Sequence, residues 1–197
     1  MKAKHRLLTF AAAVAFVIFP MTVFAQEFPK YEFAGGFTFL GMEEKEWYGW
    51  NISGVKNFNH YFGIAVEIDG AYSSKTIEFY PIKYITDHRR YFFLAGPKFT
   101  KRDMGNWIPY FTLLAGAEKT SISWGFSGWE GGEIVAGSDN TKAFAIRFGG
   151  GIDYAIKDSL AIRLVQADML NNYGDRGWRM GGMVSFGLVL RLGKGED

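Results

Sequence analysis

The feature that most constrains the fold of this chain is an alternation of apolar residues with small or polar residues at a period of two. Successive side chains point to opposite faces of a β-strand, whereas an amphipathic helix repeats its apolar positions every three or four residues. In the clearest run, 62–72, four apolar side chains alternate with Gly63, Ala65, Glu67 and Asp69. The alternation predicts an all-β fold of eight strands. The eight runs are 31–40, 48–58, 62–72, 90–100, 108–118, 144–154, 160–170 and 178–192.

The composition supports strands and argues against other common classes. Aromatic residues make up 18% of the chain, with 19 Phe, and there are 25 Gly against 5 Pro. Glycine is the poorest helix former after proline and aromatic residues favour strands, so a helical bundle is excluded. Disordered chains are poor in aromatic residues, so disorder is excluded as well. The absence of Cys excludes disulfides, thiolate metal sites and cysteine nucleophiles.

The N-terminal segment has the pattern of a secretory signal peptide. Three basic residues precede an apolar run at 7–19, and a small residue, Ala25, marks the cleavage position. A membrane-spanning helix needs ~20 apolar residues, which argues against the alternative of a helical anchor. We therefore assign 1–25 to a signal peptide and 26–197 to one outer-membrane β-barrel domain. Loss of the three basic residues changes the formal net charge from +2 to −1, so charge does not support nucleic-acid binding.

The lengths of the runs and of their connections indicate a barrel that crosses a membrane. Each run has roughly the 9–11 residues that a tilted strand needs, and no stretch after the signal peptide approaches the ~18 apolar residues of a spanning helix. Outer-membrane barrels have short turns on one side and long loops on the other. We predict an eight-stranded antiparallel up-and-down transmembrane β-barrel, in which 73–89 and 119–141 continue outward as strands. For 119–141, which contains exposed aromatic residues and four glycines, the alternative is a flexible loop that contacts a ligand or partner. The short connections are 57–61, 101–107 and 155–159, and the mostly longer ones are 41–47, 73–89, 119–141 and 171–177.

The residue types on the polar face indicate which side of the sheet faces lipid. The alternative is a soluble, lipocalin-like barrel with its apolar face inward. In this chain the polar face is dominated by Gly, Ala, Ser and Thr with scattered charges, and an eight-stranded barrel has little room for larger side chains inside. Aromatic residues near the ends of the runs suit the two membrane interfaces. We therefore predict that the apolar face is turned to lipid and the polar face to a closed lumen.

Short phrases of the mature chain carry a resemblance to a known family. They are FAGGF at 33–37, LAGPKF at 94–99, FGGGID at 148–153 and AIRLVQAD at 161–168. Together they make residues 31–192 resemble the small outer-membrane β-barrel proteins of the outer membrane protein A type. The resemblance implies a location in the outer membrane of a Gram-negative type of envelope and contact with outer-membrane lipid.

The last run resembles the C-terminal signal that barrel-assembly machinery reads in such proteins. Its spacing is Ser185-x-Gly187-x-x-Leu190-x-Leu192. The resemblance implies that this machinery is a partner of the chain during its biogenesis.

The assignment of faces places charges of both signs in the lumen. An unpaired charge in a narrow interior of low dielectric is costly, so we expect each to find a partner, with Glu67, Arg147 and Arg163 at the centre. We interpret this network as a structural plug, because eight strands leave no continuous water channel; the alternative is an ion pathway or gate. The predicted lumen charges are Glu32, Glu67, Asp69, Glu118, Asp153 and Asp168, with Arg90, Lys98, Arg147, Arg163, Arg179 and Arg191.

Catalysis and cofactor chemistry find little support in the sequence. One of the three His, His88, lies next to Asp87 and across a loop from Ser73 and Ser74, which is the composition of a serine–histidine hydrolase but also of an ordinary polar loop. No spacing of His or carboxylates predicts a metal site or a cofactor. We predict a monomeric, non-catalytic outer-membrane protein that acts in membrane integrity, adhesion or recognition through its outer loops. The alternatives are a small porin-like channel and a lipid-modifying enzyme, and the sequence identifies no surface partner.

Overall fold

The described part of the chain is built of eight β-strands. In the computed structural model, the described residues are 27–42, 45–79, 82–128, 133–174 and 177–195. The signal peptide predicted at 1–25 lies outside the described residues. Among the residues that are described, no helix is long and apolar enough to cross a membrane. The strands are β1 (Phe28–Met42), β2 (Lys45–Asn57), β3 (Phe62–Phe79), β4 (Ile82–Thr100), β5 (Trp107–Gly128), β6 (Glu133–Lys157), β7 (Leu160–Gly174) and β8 (Gly177–Gly195).

The strands form one closed ring in chain order. Each strand pairs antiparallel with its neighbour in sequence, and β1 closes the ring by pairing with β8 from Phe28↔Gly195 to Met42↔Gly181. A closed antiparallel ring satisfies the backbone hydrogen bonds of its strands within the sheet and leaves no free edge in the ring. The predicted eight-stranded antiparallel up-and-down barrel is confirmed.

Strands β3 to β6 continue beyond the ring on the side of the long connections. β3 and β4 stay paired as far as Phe79↔Ile82, and β5 and β6 as far as Ser127↔Glu133. The predicted continuation of the two long connections as strands is confirmed. The runs read from the sequence end too early there, because Ser, Thr and Asn replace apolar residues and the alternation loses its hydrophobic contrast.

The seventh strand contains a bulge, which the interrupted alternation around Val165 and Gln166 in the sequence predicts. Its register with β8 shifts between Arg163 and Gln166. Leu164 and Val165 are consecutive and both exposed, whereas Arg163 and Gln166 are buried. A bulge places two residues opposite one on the partner strand. It therefore returns Gln166 and Asp168 to the lumen, where an unbroken alternation would have turned them outward.

The barrel turns its large apolar side chains outward and its charged side chains inward. Phe37, Val66 and Leu188 are 67%, 54% and 56% exposed, whereas Glu67 and Arg147 are 3% and 0% exposed. A soluble barrel has the reverse arrangement, with its apolar face filling the interior. The predicted orientation agrees with this structure, and the lipocalin-like alternative does not.

Two glycines that face each other allow a close approach of β1 and β8 at the seam, the place where these two strands close the ring. Gly36 and Gly187 are partners in the register of these strands. A Cβ on Gly187 would lie less than 3.0 Å from the carbonyl oxygen of Gly35 and from the Cα of Gly36. Backbone atoms of a paired strand cannot move aside without weakening the ladder. A Cβ on Gly182, in the same strand, would meet nothing within 4 Å.

We expect Gly187→Ala to impair closure of the ring and Gly182→Ala to leave it intact. Overpacking of a well-packed site costs about 1–3 kcal/mol, and at Gly187 the clash is with backbone. The measurement is the fraction of refolded protein that migrates as a compact band before heating and as an extended band after it. Equal compact fractions for the two variants would contradict the importance of this close approach.

Candidate functional site

At the end of the barrel with the short turns, Glu32 binds two cations. Its Oε2 lies 2.7 Å from Lys98 Nζ and its Oε1 lies 2.7 Å from Arg102 Nη2. Asn57 also donates to this carboxylate, at 3.3 Å. Arg191 is half-buried at this end and is the partner of Glu32 in the β1–β8 register. Arg102 is not among the predicted lumen charges. It lies in the connection after β4, where no alternation identifies an inward side chain.

Above Glu32, a second group of polar side chains surrounds Tyr110. Arg163 donates from Nε to Asp153 Oδ1 at 3.0 Å and from Nη1 to Gln166 Oε1 at 2.8 Å. Tyr110 donates from Oη to the same Gln166 oxygen at 2.8 Å. Lys98 Nζ and Arg163 Cζ lie 4.4 Å and 4.9 Å from the centroid of the Tyr110 ring. Because cations are attracted to an aromatic face, Tyr110 joins the first group to the second.

The centre of the lumen holds one guanidinium among three carboxylates. Arg147 forms ion pairs with Glu67, with Asp69 at 2.8 Å and with Asp168 at 3.7 Å. Gln166 donates from Nε2 to Asp168 at 2.8 Å and so connects this cluster to the Tyr110 group. The structure therefore brings Glu67 and Arg147 together as the sequence indicates. It places the third predicted member of the centre in the neighbouring group, paired with Asp153.

Near the outer end of the lumen, Arg90 and Glu118 form a further ion pair. Arg90 Nη1 lies 3.6 Å from Glu118 Oε1, and Asn172 donates to the other oxygen of the same carboxylate. The Arg90 guanidinium also lies over the ring of Trp47, 4.5 Å from its centroid. Trp47 is buried in β2, although the sequence places it in a connection. Its inward orientation was missed because the run at 48–58 begins one residue later.

A cluster of apolar side chains, named here the apolar layer, packs in the lumen beside the central cluster and toward the Arg90–Glu118 pair. On β7, Leu170 lies between Asp168, which contacts Arg147, and Asn172, which contacts Glu118. The prediction that small side chains dominate the inward face is wrong for this layer. A narrow barrel needs bulk where its walls carry no charges, because an empty space would forfeit packing contacts. The large members of the layer are Leu40, Phe92, Leu94, Leu114, Leu170 and Met183.

The side chains in the middle of the lumen are buried. Phe92, Leu114, Arg147, Leu170 and Asn172 are each 0% exposed, although all five belong to the inward face. A channel lined by these side chains would leave part of their surface accessible to water. Charged groups in such an interior interact strongly, because the effective dielectric constant is far below that of water. The arrangement suits fixed ion pairs rather than a water-filled path.

The geometry does not support a serine–histidine hydrolase. His88 and Asp87 are consecutive residues of β4, so their side chains point to opposite faces of the sheet. His88 lies against the buried Trp47, with ring centroids 5.7 Å apart. Ser73 and Ser74, their partners across the β3–β4 ladder, are divided between the faces in the same way. A triad needs its three side chains in one hydrogen-bonded series, which this arrangement prevents.

No candidate metal site was found in the part of the chain that the structure describes. No group of three or more His, Asp or Glu side chains there could hold a metal ion.

The four residues of the proposed assembly signal divide between the two faces of β8. Ser185 is buried and forms a hydrogen bond of 2.8 Å with Thr38 across the seam, and Gly187 packs against the backbone of β1. Leu190 and Leu192 are exposed on the outer surface, at 52% and 49%. Two residues of the pattern thus contribute to ring closure and two to the apolar exterior.

Aromatic residues lie at both ends of the apolar outer surface. On the side of the long hairpins, Trp50 Nε1 donates to Tyr72 Oη at 3.2 Å, and the hydroxyls of Tyr72 and Tyr91 are 3.4 Å apart. At the opposite end, Trp107 and Tyr154 pack edge to face with centroids 5.1 Å apart. Amphipathic rings of this kind are enriched where a membrane meets water.

The closed ring of eight antiparallel strands, its apolar exterior and its ionic interior define an eight-stranded barrel of the outer-membrane type. No protein-family model matches the sequence, and no curated protein matches it. Solved structures share the fold. Ail, the attachment invasion locus protein of Yersinia pestis, is 15% identical, with a TM-score of 0.53 over 85% of this chain and 100% of that one. Neisserial surface protein A is 12% identical, with a TM-score of 0.50 over 86% of this chain and 100% of that one. These neighbours confirm the predicted fold.

Proposed function

We propose that this protein is an integral outer-membrane barrel with a closed lumen, which acts in membrane integrity and in surface interaction through its outer strands. The observation that carries the proposal is the combination of a buried ionic interior with an apolar exterior. Arg147 is 0% exposed, whereas Phe37 is 67% exposed. A bilayer is the solvent in which that combination is stable, because apolar side chains then contact lipid and each fully buried charge contacts a partner.

The biogenesis that this function requires is part of the same proposal. The segment at 1–25 exports the chain, and barrel-assembly machinery reads the β8 pattern that ends at Leu192. A monomer is sufficient, because the ring is closed within one chain and leaves no strand edge to be covered within the membrane.

We expect the folded protein to pass no ionic current across a planar lipid bilayer under an applied voltage. Ions cannot pass the apolar layer, which contains Phe92, Leu114 and Leu170, without displacing buried side chains. A control variant with these three residues changed to Ala, and shown to be folded by its compact band before heating, should conduct. Stable conductance steps from the unaltered protein would contradict a closed lumen and favour a small channel.

The strands that extend beyond the ring are the part best placed to meet other surfaces. Above the ring, β3 to β6 form a four-stranded sheet whose outer strands, β3 and β6, have edges without a neighbouring strand in the described residues. A free edge presents backbone donors and acceptors on which an extended segment of a partner can pair. Ail, which shares the fold, has been solved with the heparin analogue sucrose octasulfate.

We expect removal of the outer β5–β6 hairpin to abolish adherence while the barrel stays folded. Ser121 and Asn140 are opposite each other, with side chains 2.6 Å apart, so Asn-Gly can replace 122–139 as a two-residue turn. Bacteria that display the shortened protein would be compared with bacteria that display the full one for adherence to cultured cells. Undiminished adherence of the shortened protein, with its compact band preserved, would contradict a surface role for this hairpin.

A further inference from the structure

Two lysines face each other on the outside of the barrel, where the apolar surface ends. Lys119 of β5 and Lys142 of β6 are direct partners in the ladder, and both are exposed. Side chains opposite each other in an antiparallel pair have Cβ atoms about 4.5–5.5 Å apart, and like charges in that position are destabilising. Within the described parts of the chain, neither lysine has an ion-pair partner. A bound anion would convert this repulsion into attraction.

A third cation and a tyrosine extend the pair onto β4. Tyr91 is the ladder partner of Lys119, and Arg89, two residues away on the same outward face, is diagonal to Lys119. Diagonal neighbours lie about 7–8 Å apart, which is within reach of long side chains. Arg89 is exposed. We name Arg89, Lys119 and Lys142 the basic row.

The basic row lies at the boundary between the apolar belt and the water-exposed sheet. The outward residue that precedes each cation toward the middle of the barrel is apolar or aromatic: Tyr91 and then Phe93 on β4, Ala117 on β5 and Phe144 on β6. In the other direction, the outward residues Ser121 and Asn140 follow Lys119 and Lys142.

The distribution of charge around this rim is uneven. On β2, the outward residue beyond Tyr48 is an acid, Glu46, which accepts a hydrogen bond from the Tyr48 hydroxyl at 3.0 Å. The three cations lie on β4 to β6, where Asp87, two residues beyond Arg89 on the outward face of β4, is an acid of the adjoining sheet. This grouping distinguishes the basic row from the general occurrence of lysine at membrane interfaces.

A groove beside the basic row connects it with the apolar surface. Strand β7 ends at Gly174, whereas β6 continues past it, and the step leaves a groove of about 430 Å³. It is lined by Lys142, Ala143, Phe144, Tyr173 and Gly174, and the Phe144 and Tyr173 side chains are exposed on the outer face. The groove therefore joins a cationic residue to aromatic residues, and an acylated anion has the same combination of charged and apolar parts.

We propose that the basic row binds the phosphate group of an anionic lipid in the surrounding leaflet, while an acyl chain of that lipid lies along Phe144 and Tyr173. Ammonium and guanidinium groups form charge-assisted hydrogen bonds with phosphate oxygens. The anion relieves the repulsion between Lys119 and Lys142, and the headgroup stays at the depth where phosphates occur. A soluble anion would satisfy the charges but would gain nothing from the aromatic part of the groove. The inference rests on the proposed location in an outer membrane.

The test uses the folded full-length barrel in detergent, with native mass spectrometry to count retained lipids. The probe is diphosphorylated lipid A, with phosphatidylcholine as the zwitterionic comparison and inorganic phosphate as a soluble competitor. The variant Lys119→Gln/Lys142→Gln should retain lipid A about tenfold less well or worse, as expected for the loss of charged hydrogen bonds. The control Lys56→Gln/Lys157→Gln removes the same charge at the opposite end of the barrel and should retain lipid A as the unaltered protein does.

Two outcomes would overturn the proposal. One is equal retention of lipid A by the Lys119→Gln/Lys142→Gln variant and by the unaltered protein. The other is displacement of lipid A by millimolar inorganic phosphate, which would identify a site for soluble anions. The compact band before heating is measured on every sample, so a protein that does not form a barrel in detergent is recognised separately as a failure of the proposed function.

Discussion

The Arg147→Met variant should lose most of the stability of the barrel. Arg147 forms ion pairs with Glu67, Asp69 and Asp168, and it is 0% exposed. Its removal leaves three buried carboxylates together without their cationic partner. Breaking a buried ion pair costs about 3–5 kcal/mol, and three uncompensated partners place this variant at the upper end of that range. The measurement is the free energy of unfolding in urea, with the protein folded into phospholipid bilayers.

The cause of this loss can be separated from a loss of packing. A variant that combines Arg147→Met with Glu67→Gln, Asp69→Asn and Asp168→Asn removes the whole charged cluster at nearly constant volume. Replacement of a complete buried ionic cluster by neutral groups removes the uncompensated charges, and neighbouring amides can hydrogen-bond to each other, so we expect the combined variant to be clearly more stable than Arg147→Met alone. If the combined variant is as unstable as Arg147→Met alone, the ionic account of the centre is wrong.

The Val66→Arg variant should be the most damaging change on the outer surface. Val66 is 54% exposed and lies on the outward face of β3 between Ile64 and Ile68. An arginine on the lipid face costs about 2–4 kcal/mol at the bilayer midplane and about 0–1 kcal/mol near the interfaces. The expected result is therefore a large drop in unfolding free energy in bilayers, although the side chain has ample space.

Ser123→Arg is the matched control for this prediction. Ser123 faces outward on β5, four residues beyond Lys119 and outside the apolar belt, and its ladder partner on β4 is the acid Asp87. We expect its substitution to change the unfolding free energy by less than about 1 kcal/mol. Equal effects at Val66 and Ser123 would mean that both positions contact the same solvent, which contradicts a membrane belt on β3.

The sequence predicts those features that depend on local alternation. At 62–72, every second residue is apolar, and because a strand has a period of two, both the strand and its outward face follow. At Val165 and Gln166 the alternation of apolar and polar residues is interrupted, which predicts a bulge. The register of β7 with β8 shifts there. The inward position of Glu67 and Arg147 follows from the same alternation, because each lies between apolar outward neighbours.

Features that depend on contacts between residues far apart in the sequence could not be predicted from local alternation. The inward face of β4 contains Phe92 and Leu94 as well as Arg90 and Lys98, and local sequence does not show that the apolar pair packs with Leu114 of β5. The local sequence also does not show which charged side chains form ion pairs with one another. The alternation places Arg163 inside, but its pairing with Asp153 rather than with the central carboxylates depends on register and on the bulge.

The orientation of the strands relative to lipid is the claim on which the rest depends. Because the chain contains no Cys, a single cysteine can be introduced and spin-labelled at Phe33, Phe37 or Phe39 of β1, with Glu46 of β2 as the position beyond the belt. In bilayers, the labels on β1 should be relaxed strongly by oxygen, which concentrates in lipid, and weakly by a water-soluble nickel chelate. The label at Glu46 should show the reverse. Strong relaxation by the nickel chelate at Phe37 would show that this face is in water, and the account of a membrane barrel would be contradicted.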